Sequence, residues 1–292
     1  MEIIVADQSG LCYGVKRALR LAHQIKRRRK GPVFTFGELI HNPTAIADLK
    51  ESGIHPVNDV ASIRKGTVII RSHGVAPSVY SALKKKRVDI VDATCPIVKG
   101  IQGLVAKLAN KGEEIVIVGN PEHPEVQGLV GHSRGRARII EDEAQARRLP
   151  LRKKRSVLAQ STEDPFLFGQ VVAALLERTK ELGVYNTICN STQIRQKSTC
   201  ALASRVDILF IIGGKKSSNT QRLFEISKRV QPNTHFVETA DEIRPRLLRG
   251  VKRIGISGGA STPPEAIQEV VSKIRSGFAH SSHRETLSQW QS

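Results

Sequence analysis

Three cysteines, Cys12, Cys95 and Cys189, stand one in each third of the chain, and each is followed at a nearly constant distance by a polar corner. Cys12 to His41 is 29 residues, Cys95 to His123 is 28, and Cys189 to Ser217 is 28. A further corner completes each set: Ser72-His73-Gly74, Gln160-Ser161-Thr162 and Gly258-Gly259-Ala260-Ser261. Thiolate sulfur is the ligand of iron–sulfur clusters and of zinc. Structural zinc sites usually show ligand pairs two to four residues apart, and this chain has no C-x-x-C pair. Single, widely separated cysteines fit a cluster gathered from several segments. Three thiolates on a four-iron cluster leave one iron without a protein sulfur, and an open iron can bind substrate. Cys200 falls outside the repeat and inside an expected helix, so it reads as a buried structural thiol. The His, Ser and Asn donors of the corners suit an anion, because such donors at helix N-termini bind phosphate.

The elements that must position these residues are legible from periodicity. Val91 ends a short apolar run before Cys95, and Ile97, Val98, Ile101, Leu104, Val105 and Leu108 then recur at helical spacing. Pro96 suits the first helical position, so the sulfur of Cys95 is expected against a helix N-terminus, which favours thiolate. Cys12 and Cys189 follow strand-like runs in the same way. Further strands are expected at Ile3 to Val5, Val33 to Phe36, near Val57, Thr67 to Ile70, Ile115 to Val118, Arg138 to Ile140, Ser156 to Leu158, Ile208 to Ile212, His235 to Val237 and Arg253 to Ile256. Strands alternating with helices imply parallel pairing through right-handed crossovers. The fold expected is α/β: three tandem, pseudo-threefold-related units, each with a mainly parallel four-stranded sheet, around a central iron–sulfur site. The boundaries expected are 1–87, 88–182 and 183–280, with a disordered tail over 281–292. Ligands of open parallel sheets collect outside the strand carboxyl ends, where every corner lies.

Composition bounds the rest. An apolar fraction of 39% with 25% charged residues is that of a soluble globular protein. No apolar run approaches the roughly 20 residues needed to cross a bilayer, and strand-forming sequence begins at once, so a cytoplasmic protein without a membrane segment or leader is expected. The net charge of +19 is concentrated in Lys26 to Lys30, Lys84 to Arg87 and Arg147 to Arg155. These runs read first as solvated helix ends and loops, and second as a field that steers acidic partners. Aromatic residues are only 4%, too few for the stacking surfaces of single-strand binders; an acidic protein partner fits better than nucleic acid.

Taken together, Gly10-Leu11-Cys12-Tyr13-Gly14-Val15, Leu39-Ile40-His41-Asn42, Arg71-Ser72-His73-Gly74-Val75, Asp92-Ala93-Thr94-Cys95-Pro96, His123-Pro124-Glu125-Val126, Thr187-Ile188-Cys189-Asn190-Ser191-Thr192, Ser217-Ser218-Asn219 and Gly259-Ala260-Ser261 resemble the LytB/IspH family, the 4-hydroxy-3-methylbut-2-enyl diphosphate reductases of non-mevalonate isoprenoid synthesis. The resemblance spans nearly the whole chain. It implies a four-iron, four-sulfur (4Fe–4S) cluster on Cys12, Cys95 and Cys189. It also implies a substrate diphosphate on His41, His73, His123, Ser217, Ser218, Asn219 and Ser261, and Glu125 delivering protons with Ser161 or Thr162 in the relay. Where the family commonly has Gln-Thr-Thr, this chain has Gln160-Ser161-Thr162. The implied activity is reductive removal of the allylic hydroxyl to give isopentenyl and dimethylallyl diphosphate, with electrons from a ferredoxin or flavodoxin. Two other classes compete: a basic nucleic-acid-associated iron–sulfur or zinc protein, and a redox sensor. The first explains the charge but not the shared register of Cys, His-Pro-Glu and Ser-Ser-Asn corners. The second calls for exposed cysteines beside a resolving partner.

Overall fold

The computed structural model describes the backbone of residues 1–288 and the side chains of residues 1–276. The disordered tail expected over 281–292 is instead helical as far as Ser288, and residues 289–292 lie outside those described. The chain divides into two compact units, one of Met1–Leu11 with Ile194–Ser292, the other of Cys12–Gln193.

The first unit opens with β1 (Glu2–Val5). The second carries, in chain order, α1 (Tyr13–Arg28), β2 (Val33–Phe36), α2 (Pro43–Glu51), β3 (Ile54–Val57), β4 (Thr67–Ile70), α3 (Pro77–Lys85), β5 (Asp89–Asp92) and α4 (Pro96–Asn110). It continues through β6 (Ile115–Val118), α5 (Pro124–His132), β7 (Ala137–Ile140), α6 (Glu143–Arg147), β8 (Arg152–Ala159), α7 (Pro165–Leu176) and β9 (Thr179–Tyr185). Helix α8 (Asn190–Ala203) leads back to the first unit, which ends with β10 (Ile208–Ile212), α9 (Ser218–Val230), β11 (Thr234–Val237), β12 (Arg253–Gly258) and α10 (Pro264–Ser288).

Three four-stranded sheets result, in the orders β1-β12-β10-β11, β3-β2-β4-β5 and β7-β6-β8-β9, and every pairing in them is parallel. The expected α/β class and four strands per sheet are observed. The expected boundaries cut across the sheets, however. Strand β5, taken as opening a unit at residue 88, pairs with β4; β9 pairs with β8, and β1 with β12. Each cysteine-bearing corner thus follows an edge strand of one of the three sheets. The physical reason is the short crossover: α3 has nine residues, enough to return the chain to a neighbouring parallel position, the commonest outcome for consecutive strands.

The sheets are covered on both faces, and the pleat sorts their side chains. Ile69 packs with Ala18, Ala22, Val33, Leu49 and Ile54, whereas Val68 and Ile70 pack with Ile63, Val75 and Leu83 on the other side. The same alternation separates Val116 and Val118 from Ile115 and Ile117. It also separates Ile208, Phe210 and Ile212 from Leu209 and Ile211. Double burial explains why these strands read as unbroken apolar runs rather than alternating ones. Each fully buried Val, Leu or Ile contributes roughly 1.5–3 kcal/mol.

The basic run at residues 147–155 is largely exposed, as expected, except at Arg155, and from Arg152 it is the start of β8 rather than loop. Arg155 has no exposed side-chain surface. It donates to Glu114 Oε1 at 3.0 Å, the Arg178 carbonyl at 3.1 Å, Thr179 Oγ1 at 3.2 Å and the Pro150 carbonyl at 2.6 Å. Arg147 pairs with Glu143 and Glu177, Arg152 with Glu114, and Lys154 with Glu181. Among the described residues no helix is long and apolar enough to cross a membrane.

Candidate active site: three thiols, three imidazoles and a buried acid

Cys12 and Cys95 are the N-cap residues of α1 and α4, and neither side chain closes a capping hydrogen bond. Cys189 holds the same place before α8, its carbonyl accepting from the N–H groups of Thr192 and Gln193 at 2.9 and 3.0 Å. Ser, Thr, Asp or Asn at an N-cap is favoured over a non-capping residue by about 1 kcal/mol, so sulfur here is not explained by helix stability. All three thiols are half-buried.

The sulfurs lie near one another. A Cβ placed on Gly14 would sit 2.7 Å from Cys95 Sγ and 4.0 Å from Cys12 Sγ, and the Cys12 and Cys189 sulfurs both bear on the ionisation of Cys95. Burial pushes the Cys95 thiol up, the N–H groups of Ile97 and Val98 pull it down, and the other two sulfurs push it up again. The helix terminus therefore acts in the expected sense, but desolvation outweighs it. A multivalent cationic centre relieves both the desolvation and the mutual repulsion of thiolates, so this donor set fits an iron–sulfur cluster. Gly14 keeps the space beside the sulfurs clear. Gly14→Ala should lower the iron bound per chain severalfold while the melting temperature changes little, since Ala favours a helix by about 1 kcal/mol against an overpacking cost of about 1–3 kcal/mol. Full iron loading in that variant would show that the space is not needed.

The corners are tied to the thiols through the backbone. Cys95 N–H donates to the Ser72 carbonyl at 2.9 Å, and Ser72 donates from N–H and Oγ to the Leu39 carbonyl at 3.1 and 2.9 Å. This links the Cys95, His73 and His41 corners in one chain of bonds. Gly74 (φ +71°) lets the corner turn against α4, where a Cβ would lie 2.2 Å from Gln102 Nε2.

The imidazoles of His41, His73 and His123 form a cluster. His41 stacks on His73 with ring centroids 4.4 Å apart, and His123 meets them edge-on at 5.7 and 5.2 Å. Burial lowers the His73 pKa well below its ordinary value, with His41, His123 and Arg71 adding to the effect. His123 is lowered to about 3 by burial, His41 and Arg71. Both rings are neutral at pH 7. One nitrogen from each ring of the trio lies within 4.8 Å of the others, a spacing that would also suit a metal ion. The hydrogen bonding argues for an anion instead. His123 Nδ1 accepts from the Glu125 N–H at 3.2 Å, so the neutral ring carries its proton on Nε2 and presents a donor. His73 Nδ1 is buried without a hydrogen-bond partner, and Glu38 Oε2 holds His41 Nδ1 at 3.0 Å. Arg71 and Glu38 went unassigned from the sequence; their signal is proximity in sequence to His73 and His41.

Glu125 is 1% exposed. Its Oε1 accepts from the Ser161 N–H and its Oε2 from Ser161 Oγ, both at 2.7 Å. Burial raises its pKa, the two Ser161 bonds oppose this, and Glu163 raises it further. The Ser161 carbonyl accepts from the Cys189 N–H at 2.9 Å, joining the acid to a thiol corner. Thr162 takes a hydrogen bond from Gln160 Nε2 at 3.0 Å.

In the other unit, Ser217 caps α9, its Oγ accepting from the Thr220 N–H. Ser261 Oγ lies 3.4 Å and Thr220 Oγ1 3.0 Å from Ser217 Oγ. Asn219 Nδ2 is buried without a hydrogen-bond partner, and Ser218 is the first residue of α9. Cys200 is half-buried like the other three thiols and packs against the core cluster of this unit that includes Leu202, Ala203 and Leu209.

The family model described as LytB protein matches residues 3–275. The chain belongs to the LytB family. It is similar to LytB relatives named 4-hydroxy-3-methylbut-2-enyl diphosphate reductase. That of Aquifex aeolicus is 43% identical over 94% of this chain and 96% of its own length; that of Geobacter metallireducens is 41% identical over 94% and 97%. A solved structure of (E)-4-hydroxy-3-methyl-but-2-enyl diphosphate reductase, the terminal enzyme of the non-mevalonate pathway, is 42% identical, with a TM-score of 0.68 over 94% of this chain and all of that one. The LytB fold also recurs in the Plasmodium falciparum E-1-hydroxy-2-methyl-but-2-enyl-4-diphosphate reductase, at 24% identity with a TM-score of 0.88 over 93% and 87%.

Proposed function

We propose that this LytB protein is a 4-hydroxy-3-methylbut-2-enyl diphosphate reductase, the terminal enzyme of the non-mevalonate isoprenoid pathway, releasing isopentenyl and dimethylallyl diphosphate. The observation that carries the reading is the buried acid: Glu125 is bonded twice to Ser161, whose carbonyl is bonded to the Cys189 N–H. Cys12, Cys95 and Cys189 would hold a 4Fe–4S cluster, which when bound supplies single electrons and an open Lewis-acid iron.

The reaction consumes two electrons and two protons: the allylic carbon–oxygen bond breaks, oxygen leaves as water, and the allylic fragment takes a proton at either end. Glu125, whose pKa burial raises, would when protonated pass its proton from Oε2 to Ser161 Oγ, reversing the bond in which that hydroxyl donates to the carboxyl, as the Ser161 hydroxyl hands its own proton to the departing oxygen. His123 Nε2–H and His73 present neutral donors to the diphosphate, with His41 oriented by Glu38. Ser217, Ser218, Asn219 and Ser261 would likewise present donors to a diphosphate. Thiolate ligands need a reducing compartment, so we place the reaction in the cytoplasm, with a small acidic electron-transfer protein, a ferredoxin or flavodoxin, as donor. A nucleic-acid-associated protein or a redox sensor would leave Glu125 and the imidazole trio without work. The test is anaerobic assay with the hydroxylated allylic diphosphate and an artificial reductant. Formation of both products supports the reading, and a colourless, zinc-loaded protein without turnover would sink it.

A further inference from the structure

An electron donor must come close to the sulfurs it reduces, and two helices begin at them. Helices α1 and α4 contain no acidic residue, while α1 carries six Lys and Arg and α4 carries Lys99 and Lys107. Tyr13, Lys16, Arg20, Arg27 and Arg28 are the exposed residues of α1, and the spacing of the first four puts them on one stripe. Tyr13, next to Cys12, is 74% exposed, and Ile97, two residues after Cys95, is 49% exposed. The two corners are adjacent, since Arg17 donates to the Thr94 carbonyl at 3.1 Å and Gly14 faces Cys95 Sγ. Lys16 and Arg20 have no ion-pair partner among the described residues, and Lys99 is held by Asp92 at 2.6 Å. The run at residues 147–155, by contrast, is largely spent on internal pairs.

We propose that this face, with Tyr13 and Ile97 at its centre and Lys16, Arg20 and Lys99 at its rim, is where a small acidic redox protein docks to reduce the cluster. The inference rests on the reductase reading. An apolar or aromatic centre with a polar rim is the usual anatomy of an interface. Rim charges act mainly on the rate of encounter and are screened over about 8 Å at physiological ionic strength. A single exposed tyrosine is a poor platform for stacking bases, so the face fits protein better than nucleic acid.

The test compares two double charge reversals in the iron-loaded protein. Lys16→Glu with Arg20→Glu alters the proposed face. Arg136→Glu with Lys153→Glu makes the same net change in the basic groove of about 690 Å³ where β6, β7 and β8 begin, the opposite strand ends from the cysteines. The readouts are binding of a labelled ferredoxin by fluorescence anisotropy, its second-order rate of reducing the protein, and turnover with photoreduced 5-deazariboflavin, an uncharged donor. The first variant should lose about tenfold or more in ferredoxin affinity and association rate, with a shallower salt dependence, while turnover with the uncharged donor stays unchanged. The groove variant should behave as the unaltered protein. Equal losses in both variants, no loss in the first, or tighter binding of a single-stranded oligonucleotide to this face would overturn the proposal. Absence of turnover by the unaltered protein with the uncharged donor would instead overturn the reductase reading beneath it.

Discussion

Serine in place of Cys12, Cys95 or Cys189 should abolish iron binding and turnover and leave a folded protein. The direction of the stability change separates the ligand role from a structural one. Both Cys12 and Cys95 occupy N-cap positions that their side chains do not use for capping. A serine hydroxyl there can accept from a first-turn N–H, so the iron-free fold should be unchanged or up to about 1 kcal/mol more stable. Cys200→Ser should do the reverse. It puts a hydroxyl against Leu202, Ala203 and Leu209, which costs stability at about the 1 kcal/mol level, while the iron content stays intact. Iron and sulfide analysis with thermal unfolding of the iron-free proteins measures both. Bleaching by Cys200→Ser, or retention of the cluster in any of the other three, would reassign the ligands.

Glu125→Gln should keep substrate binding and lose turnover by the roughly 10²–10⁴-fold typical of a missing general acid. Gln retains the size of the side chain and can still accept from the Ser161 N–H, which now reaches Oε1 at 2.7 Å, so the corner should hold its shape. What it lacks is the proton for Ser161 Oγ. The pH dependence has a definite sign. Because burial raises the pKa of Glu125, the acid is competent on the low-pH side, and rate should fall as pH rises through that raised value. In stability terms the same shift favours the native state at low pH and is lost as pH rises through the folded-state pKa. The Gln variant should show neither limb. The measurement pairs the substrate-induced change in the cluster spectrum with the steady-state rate across pH. Proportionate loss of binding and rate, or normal turnover, would move the acid role to another group. Ser161→Ala would be the next variant, since the Ser161 hydroxyl donates to the carboxyl.

Much of this site is legible in the sequence. Apolar runs bounded by Pro, Gly and polar residues fix strand and helix ends locally, and Pro stands at the start of α2, α3, α4, α5 and α7. The corners at Cys95, His123 and Ser217 lie at those ends, so their register could be read from spacing alone. Gly14, Glu38 and Arg71 could not, because their importance comes from what they face rather than from their own type.

The sequence by itself determined the repeat, the parallel α/β class, the three thiols and the polar corners, since each depends on interactions within a few turns of the chain. Only the tertiary structure decided which sheet each edge strand joins: β1, β5 and β9 could pair either way by their own composition, and non-local parallel pairing with β12, β4 and β8 made the choice. It also decided the balance of charge. The helix terminus at Cys95 is a local feature that favours thiolate, yet burial and two neighbouring sulfurs reverse the outcome. In the same way Arg155, one of a run of basic residues, is fully enclosed and satisfied by four hydrogen bonds. Desolvation depends on what surrounds a group in three dimensions, and sequence spacing does not carry that information.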